Sequence, residues 1–272
     1  MTVPRRPVRM LHTADLHLGS GARFRDCPAA AECTCALHGV RTIAALCSAD
    51  VVVIAGDLFD HARVRPSLVA EVVQLLGEIS QPVLLASGNH DVATAASVLA
   101  PFRADLDAAG VIVLDGSVTL LDGALTCWGR AMPEHSPSFR PLLGASGAER
   151  ASDAWYVVVG HGHAEPLSES LEDSPRHSSP ISPTDIATTG ADYVALGHWH
   201  HAADVSAGTV PAWYPGSPSA AIGTGTVLQV DLHPEAGCTI TSVGLADVVF
   251  EGCAAHRATA RLARATGTGD NR

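Results

Sequence analysis

The sequence predicts an α/β protein in which two β-sheets pack face to face, with helices on their outer sides. Hydrophobic residues make up 47% of the 272 residues, which is enough for a large buried core. The first half alternates short apolar runs with stretches of helical periodicity, whereas the second half is mostly β-like. A chain of this length is one large domain or two small ones.

The first half of the chain has a strand and helix alternation. Apolar, β-branched runs predict strands at residues 8–12, 50–55, 82–86 and 111–114. Helical spacing predicts helices at 40–47, 66–79 and 94–109, and Pro66 suits the first turn of its helix. Residues 26–36 interrupt this alternation and are interpreted as an insertion.

The second half has hairpin and loop signals. Asp122 and Gly123 stand between two apolar runs, 117–121 and 124–128, and predict a hairpin. Further strands are predicted at 155–159, 192–196, 227–232 and 239–245. Residues 165–184 are rich in Ser, Pro and Glu and predict a long surface loop. We expect one domain over residues 1–250, with insertions near 26–36 and 165–184, and a flexible tail over 251–272.

Charge and hydropathy exclude several function classes. The formal net charge is -11, and the 17 basic residues are all arginine. The chain is therefore not a basic nucleic-acid wrapper or a polybasic membrane binder, and arginine must make every cationic contact with phosphate. No apolar run approaches the ~20 residues of a transmembrane helix, and no apolar signal-peptide segment is seen. These features predict a cytoplasmic protein without membrane association.

Cysteine usage predicts reduced thiols. The chain has seven cysteines, an odd number in a long sequence. Cys33 and Cys35 form a C-x-C pair, but no second pair has the spacing of a zinc site. The sequence alone therefore argues against a structural zinc.

Five predicted strands end in loops that hold Asp, Asn or His. Each loop alone is compatible with an ordinary turn, and a single His after a strand is commonly just a hydrogen-bonded loop residue. Because strand carboxyl ends converge at one sheet edge, the five together indicate a metal site. Mixed oxygen and nitrogen donors without Cys suit Mn, with Fe or Zn as alternatives. The loops are Asp15–His17, Gly56–Asp60, Gly88–Asp91, Gly160–His163 and Gly197–His200.

These motifs resemble those of the calcineurin-like metallophosphoesterases. In more detail they are similar to the DNA-repair exonuclease branch, the SbcD-type nuclease subunits, without the capping domain. The resemblance covers about residues 8–232 and implies a four-layer α/β/β/α sandwich of two mixed sheets flanked by helices. The motifs are LHTADLHLG (11–19), GDLFD (56–60), SGNHD (87–91), DYVALGHWH (192–200) and WYPGSP (213–218).

The resemblance also implies a dinuclear metal site. In such chemistry two cations about 3.5–4 Å apart polarise the phosphoryl oxygens and activate the attacking water. His163 is an alternative to His161, although the family places its ligand directly at the strand end. The implied first-ion ligands are Asp15, His17 and His200, the second-ion ligands are Asn89, His161 and His198, and the bridge is Asp57.

Residues beyond the ligands are implied to contact or position the substrate. His90 would act as the acid or position the scissile phosphate, and Asp60 would orient the His90 ring. Arg63 and Arg65 are candidate phosphate contacts, as are two more loop arginines, at positions 23 and 25. Solvated loop arginines are an equally good interpretation of all four.

The resulting expectation is a metal-dependent phosphodiesterase with nuclease-like ancestry, for which DNA, as single strands or ends, is the first substrate to test. The alternatives are a phosphoesterase for cyclic nucleotides, nucleotides or phosphoproteins, and a non-catalytic binding module. SbcD-type subunits continue into a cap and helices that bind an SbcC-like coiled-coil ATPase. Only 54 residues follow Pro218 (272 minus 218), so we do not expect a full cap, and an ATPase partner is doubtful.

Overall fold

Two six-stranded mixed sheets form the centre of the molecule. The computed structural model describes residues 5–22, 24, 27–29, 33–151, 153–165, 167 and 179–257. The first sheet contains β1 (Val8–Thr13), β2 (Val51–Ala55), β3 (Val83–Ala86), β4 (Val111–Val113), β13 (Thr226–His233) and β14 (Gly237–Gly244). Its order is β14-β13-β1-β2-β3-β4, with β1 to β4 parallel and β13 and β14 antiparallel to their neighbours.

The second sheet is built mainly from the second half of the chain. Its strands are β5 (Gly116–Leu120), β6 (Leu125–Gly129), β7 (Trp155–His161), β10 (Tyr193–Gly197), β11 (Ala202–Asp204) and β12 (Ala212–Pro215). Their order is β11-β12-β10-β7-β6-β5, with the four central strands parallel and both edge strands antiparallel. A separate short pair joins β8 (His163–Ala164) and β9 (Pro180–Ile181).

Three hydrophobic cores separate the layers. Alternate residues of β2 face opposite sides: Val52 and Ile54 pack against helices, whereas Val53 and Ala55 pack between the sheets. A third core covers the outer face of the second sheet and includes Ile186. The helices are α1 (Cys35–Leu46), α2 (Pro66–Gly77), α3 (Arg103–Ala108) and α4 (Pro183–Thr188). The predicted four-layer α/β/β/α sandwich is confirmed.

All ten predicted strands are present, with ends that shift by two residues at most. The predicted helix at 94–109 is wrong over its first half, where turns lead into a short 3₁₀ helix, Ala100–Phe102, before α3. Pro101 explains this, because proline lacks an N–H and disfavours the helical conformation of the residue before it. The predicted hairpin is also looser than two residues, since 121–124 separate its strands.

The predicted insertions and tail are partly structured. Residues 33 and 34 of the first insertion lead into α1, residues 35 and 36 already belong to that helix, and α4 begins inside the predicted surface loop. A capping box between Ser182 and Asp185 starts α4. The predicted tail begins too early, because Cys253 is only 3% exposed and packs in the core. Residues 168–178 and 258–272 lie outside the described residues.

In the described part of the chain, no helix has the length and apolar character needed to cross a bilayer. The cytoplasmic location stays a prediction.

A buried imidazole links the two sheets. His12 on β1 is fully buried, and its Nδ1 shares a hydrogen bond of 2.9 Å with the hydroxyl of Tyr193 on β10. Burial lowers the pKa of His12 to about 3 from an ordinary value of 6.5. Below pH 6.5, His12 is therefore protonated in the unfolded chain but not in the folded chain. The free energy of unfolding consequently decreases as the pH falls.

We predict that His12→Gln flattens the acid side of the stability profile. The imidazole should contribute a loss of about 1.4 kcal/mol per pH unit below pH 6.5, or about 2 kcal/mol between pH 7 and pH 5. Urea unfolding in EDTA at both pH values measures this. His233→Gln is the control, and an equal loss of stability in wild type and His12→Gln would contradict the prediction.

Candidate metal centre

The five predicted loops meet at one edge of the two packed sheets. Backbone hydrogen bonds hold the first two loops together, from Asp15 N to Gly56 O at 3.1 Å and from His17 N to Asp57 O at 3.1 Å. The loop after β10 is joined to them because His198 N donates to both carboxylate oxygens of Asp15, each at 3.0 Å. Loops from both sheets therefore present their side chains to a common centre.

The first group of donor atoms comes from Asp15, His17 and His200. The Nε2 atoms of His17 and His200 are 3.0 Å apart, and each lies 4.0 Å from Asp15 Oδ1. This arrangement matches the ligand set implied for the first ion. Asp57 Oδ2 lies 3.6 Å from His17 Nε2, at the side of this group.

The second group of donor atoms shares Asp57. Asp57 Oδ2 is 3.3 Å from His161 Nε2, so this carboxylate lies between the two groups. Asn89 Oδ1 is 3.0 Å from His161 Nε2 and 2.9 Å from His198 Nδ1. The structure thus brings together all seven residues that the sequence suggested as ligands, in the two groups expected.

The positions of the His161 and His163 rings indicate which of the two is the better candidate ligand for the second ion. His161 Nδ1 donates to Ala55 O at 2.8 Å, which directs Nε2 toward Asp57 and leaves it free to bind an ion. The His163 ring instead stands against Trp199, with ring centroids 6.0 Å apart. His161 is the better candidate ligand.

The electrostatics of the centre suit divalent cations. Burial, with help from the Asp57 charge, raises the pKa of Asp15 to about 7. Burial also lowers the pKa of His198 to about 3 and that of His200 to about 4, which leaves neutral rings with lone pairs. His161 differs, because the effect of burial is outweighed by the charge and hydrogen bond of the Asp57 carboxylate, which raise the pKa of His161 to about 9. Two buried carboxylates and several imidazoles form a donor set that a pair of divalent ions would satisfy, with loss of the His161 proton on binding.

The backbone at this centre is unusual. Four proposed ligands have positive φ: Asp15 (55°), His17 (45°), Asp57 (51°) and His198 (106°). They are half of the eight non-glycine residues with positive φ in the described part of the chain. Each such conformation costs of the order of 1 kcal/mol, and such residues cluster at functional sites because the strain positions their side chains.

Asp91 holds two of the ligand loops together, a role that the sequence analysis did not assign. Its buried carboxylate accepts hydrogen bonds from Gly88 N at 2.7 Å, Leu58 N at 2.8 Å and Phe59 N at 3.3 Å. Gly88 has no room for a side chain, since a Cβ there would collide with the Asp57 carboxylate. The only sequence signal was the final residue of SGNHD.

His135 is a second residue that the sequence analysis missed. Its Nε2 is buried without a hydrogen-bond partner among the described residues, and its ring centroid is 5.8 Å from that of His198. It follows β6 in a loop with no recognisable motif. The structure therefore adds one more imidazole beside the second donor group.

Asp60 has a different partner from the one expected. Its Oδ1 is 3.0 Å from His17 Nδ1 but 3.9 Å from His90 Nδ1. The backbone carbonyl of Asp60, rather than its carboxylate, accepts the hydrogen bond from His90 Nδ1. The rings of His17 and His90 stand nearly perpendicular, 4.6 Å apart, and only His17 reaches the carboxylate. The expectation that the Asp60 carboxylate orients His90 is corrected: it orients His17.

We predict that Asp60→Ala weakens metal binding at the first donor group. A carboxylate on the far nitrogen of a histidine ligand fixes its tautomer, and its loss commonly costs 10- to 100-fold in metal affinity. Calorimetric titration with Mn²⁺ should show this loss, and saturating Mn²⁺ should restore most activity. Asp105→Ala, on the exposed side of α3, is the control. If Asp60→Ala had an unchanged metal affinity and a lower kcat, the Asp60 carboxylate would act by orienting His90 and not His17.

The predicted phosphate-binding arginines remain predictions. Arg63 and Arg65 are exposed on the loop that follows Asp60, and Arg65 immediately precedes α2. Residues 23 and 25 lie outside the described residues.

Comparison with known proteins defines the class. The calcineurin-like phosphoesterase family model matches residues 8–202. The DNA double-strand break repair protein Mre11 of Methanopyrus kandleri is 33% identical over 100 residues, which are 35% of this chain and 21% of that protein. The matched region thus spans about a fifth of this relative. The crystal structure of TT1561 of Thermus thermophilus superposes with a TM-score of 0.58 at 13% identity, covering 88% of this chain and all of that one.

The fold and the donor set are those of a metal-dependent phosphoester hydrolase. The chain belongs to the calcineurin-like phosphoesterase family. The family match includes the loops that carry every proposed ligand, from Asp15 to His200. The resemblance expected from the motifs is confirmed at the level of the superfamily.

Proposed function

We propose that this protein is a dinuclear metal-dependent phosphodiesterase with DNA-exonuclease-like activity. The observation that carries the proposal is the position of Asp57, whose Oδ2 lies 3.6 Å from His17 Nε2 and 3.3 Å from His161 Nε2. A carboxylate shared by two donor groups suits two ions, for which Mn²⁺ is the first candidate. When bound, such ions supply Lewis-acid activation of the phosphoryl group and the attacking water.

His90 is the proposed acid. Its side chain is 39% exposed, unlike the buried ligands around it. Because Nδ1 bonds to the carbonyl of Asp60, Nε2 is the nitrogen left to meet a substrate. From there it can donate a proton to the leaving oxygen or stabilise charge on the phosphoryl group.

DNA is the proposed substrate class because of the motifs that flank the ligands. His17-Leu18-Gly19 and Tyr214-Pro215-Gly216-Ser217 are typical of the exonuclease branch, and the partial similarity to Mre11 supports the same class. With a net charge of -11, the protein has little capacity for extended duplex binding. A single strand or a DNA end, held through a few phosphates, is the substrate form most consistent with this charge.

We predict Mn²⁺-stimulated cleavage of single-stranded DNA or short ends, with weak binding and a shallow salt dependence. With ~2 to 3 phosphate contacts, log K should fall against log salt with a slope of about -2, at about -0.7 per contact. A binding titration beside a nuclease assay measures both, and Asp57→Asn purified in parallel controls for contaminating nucleases. A slope near -6 would contradict the small number of contacts.

A smaller phosphoester is the second candidate, and the net charge of -11 favours it, because a small substrate needs no extended cationic surface. A cavity of about 390 Å³ lies beside the loop that carries Asn89 and His90, but it is lined by residues such as Ser87 and Arg103 and by none of the proposed metal ligands, so it does not support either substrate class. Failure to cleave DNA, together with efficient hydrolysis of a cyclic or mononucleotide, would replace the DNA proposal. No hydrolysis of bis-p-nitrophenyl phosphate, nucleotides or DNA would indicate a binding module.

A further inference from the structure

Four buried cysteines form a cluster that has no role in the proposed phosphoester hydrolysis. Their thiol sulfurs all lie within 4.8 Å of one another, and those of Cys27 and Cys253 are 3.3 Å apart. We infer that these cysteines form a tetrathiolate site for one structural Zn²⁺. The four residues are Cys27, Cys33, Cys35 and Cys253.

The spacing of the sulfurs fits a single tetrahedral ion. With Zn–S bonds of about 2.3 Å, the sulfurs of a tetrahedral site are about 3.8 Å apart. The Cys27–Cys253 distance of 3.3 Å is shorter than this value, and the limit of 4.8 Å that holds for all pairs is longer, so the cluster has the size of such a site. An iron–sulfur cluster distributes its thiolates over several iron atoms, so its sulfurs do not all crowd around one centre. Four soft ligands around one point favour Zn²⁺.

The backbone around the cluster is adapted to sulfur. Cys253 N donates a hydrogen bond to Cys35 Sγ at 3.3 Å, the kind of contact that orients and tunes a metal-bound thiolate. Gly252 leaves the space for this approach, since a Cβ there would lie 3.0 Å from Cys35 Sγ. The matched controls, Cys47, Cys127 and Cys238, are also free thiols but do not join the group.

The site would connect distant parts of the chain. Cys33 and Cys35 stand at the start of α1, whereas Cys253 is 218 residues beyond Cys35. A bound ion would therefore fasten the segment after the last strand to the segment that leads from the His17 loop into α1. Cys33 and Phe24 line a small cleft together with His17, so the zinc would also support that loop.

This inference reverses the expectation from the sequence. The C-x-C pair lacked a partner pair at the usual spacing, because the other two ligands are isolated cysteines: Cys27 lies between β1 and α1, and Cys253 follows the last strand. Only the packing of residues 250–257 against α1 brings Cys253 to the other three.

Cobalt substitution of the full-length protein tests the inference independently of activity. Prepared under reducing conditions with Co²⁺, the wild type should show intense sulfur-to-cobalt charge transfer in the near ultraviolet and strong visible bands of a tetrahedral ion. The proposed dinuclear centre has only nitrogen and oxygen donors and cannot give the charge-transfer band. One zinc per chain, bound by four sulfurs at about 2.3 Å, should appear by X-ray absorption of the zinc-loaded Asp57→Asn variant.

Matched cysteine variants complete the test. Cys253→Ser and Cys33→Ser should weaken the charge-transfer band by at least about a quarter, because each removes one of the four Co–S bonds, whereas Cys47→Ser should keep its full intensity. If the Ser variants do not fold, the wild-type spectra still decide the question. Absence of sulfur ligation in the wild type, or disulfides found by mass spectrometry in protein isolated anaerobically, would overturn the inference.

Discussion

Asp57→Asn is expected to remove bound metal and to abolish phosphoester hydrolysis. The carboxylate lies between two groups of donors, and an amide would present one neutral oxygen where two ions need a shared anion. Metal activation contributes several kcal/mol to phosphoryl transfer, and each 1.4 kcal/mol is a factor of ten, so activity should fall by at least about 10³-fold. No other single substitution in the centre should cost as much.

Elemental analysis beside a hydrolysis assay measures this prediction. Asn89→Ala is the informative comparison, because Asn89 contacts only the second donor group and should lose less metal. Asp122→Asn, at an exposed turn with a φ of 54° that suits Asn, controls for the loss of one negative charge. Wild-type metal content in Asp57→Asn would disprove the bridging role.

The sequence predicted the strands, and with them the positions of the loops that carry the proposed ligands, for the same physical reason. A buried strand such as β2 consists of five apolar residues, and its short length and β-branched composition are local signals. The ligand loops follow these strands directly, so locating a strand end also locates its ligands. Parallel pairing of β1, β2 and β3 then brings their carboxyl ends to one edge.

What the sequence could not predict depends on contacts across the fold. The Asp60 carboxylate forms a hydrogen bond with His17, and this pairing depends on the positions of the imidazole rings, which no sequence motif specifies. The role of Asp91 requires three backbone N–H groups from two loops to converge. The strained backbone at Asp15 and His198 is likewise sustained by their mutual hydrogen bonds, which join residues 183 positions apart.

His90→Asn is expected to keep the metal and lose the chemistry. The backbone N–H of His90 donates to Asp57 Oδ1 at 2.9 Å, and the substitution leaves that contact in place. The side chain is partly exposed, so its replacement should not disturb the core. We expect kcat to fall ~10²-fold or more, the range for loss of a general acid, with metal content and folding unchanged.

The competing role for His90 is that of a metal ligand, since donor atoms of His17, Asp60 and His90 lie within 4.8 Å of one another, although His90 and the Asp60 carboxylate are too far apart for a hydrogen bond. Loss of metal from His90→Asn would make it a ligand, and activity within a few-fold of wild type would deny it any catalytic part. His233→Asn, at the end of β13, is the matched control.

Leaving-group dependence separates acid catalysis from substrate positioning. An acid matters most when the leaving oxygen is basic, so the variant should lose more activity on DNA than on bis-p-nitrophenyl phosphate, whose leaving group needs little protonation. Equal losses on both substrates would assign His90 to positioning the phosphate.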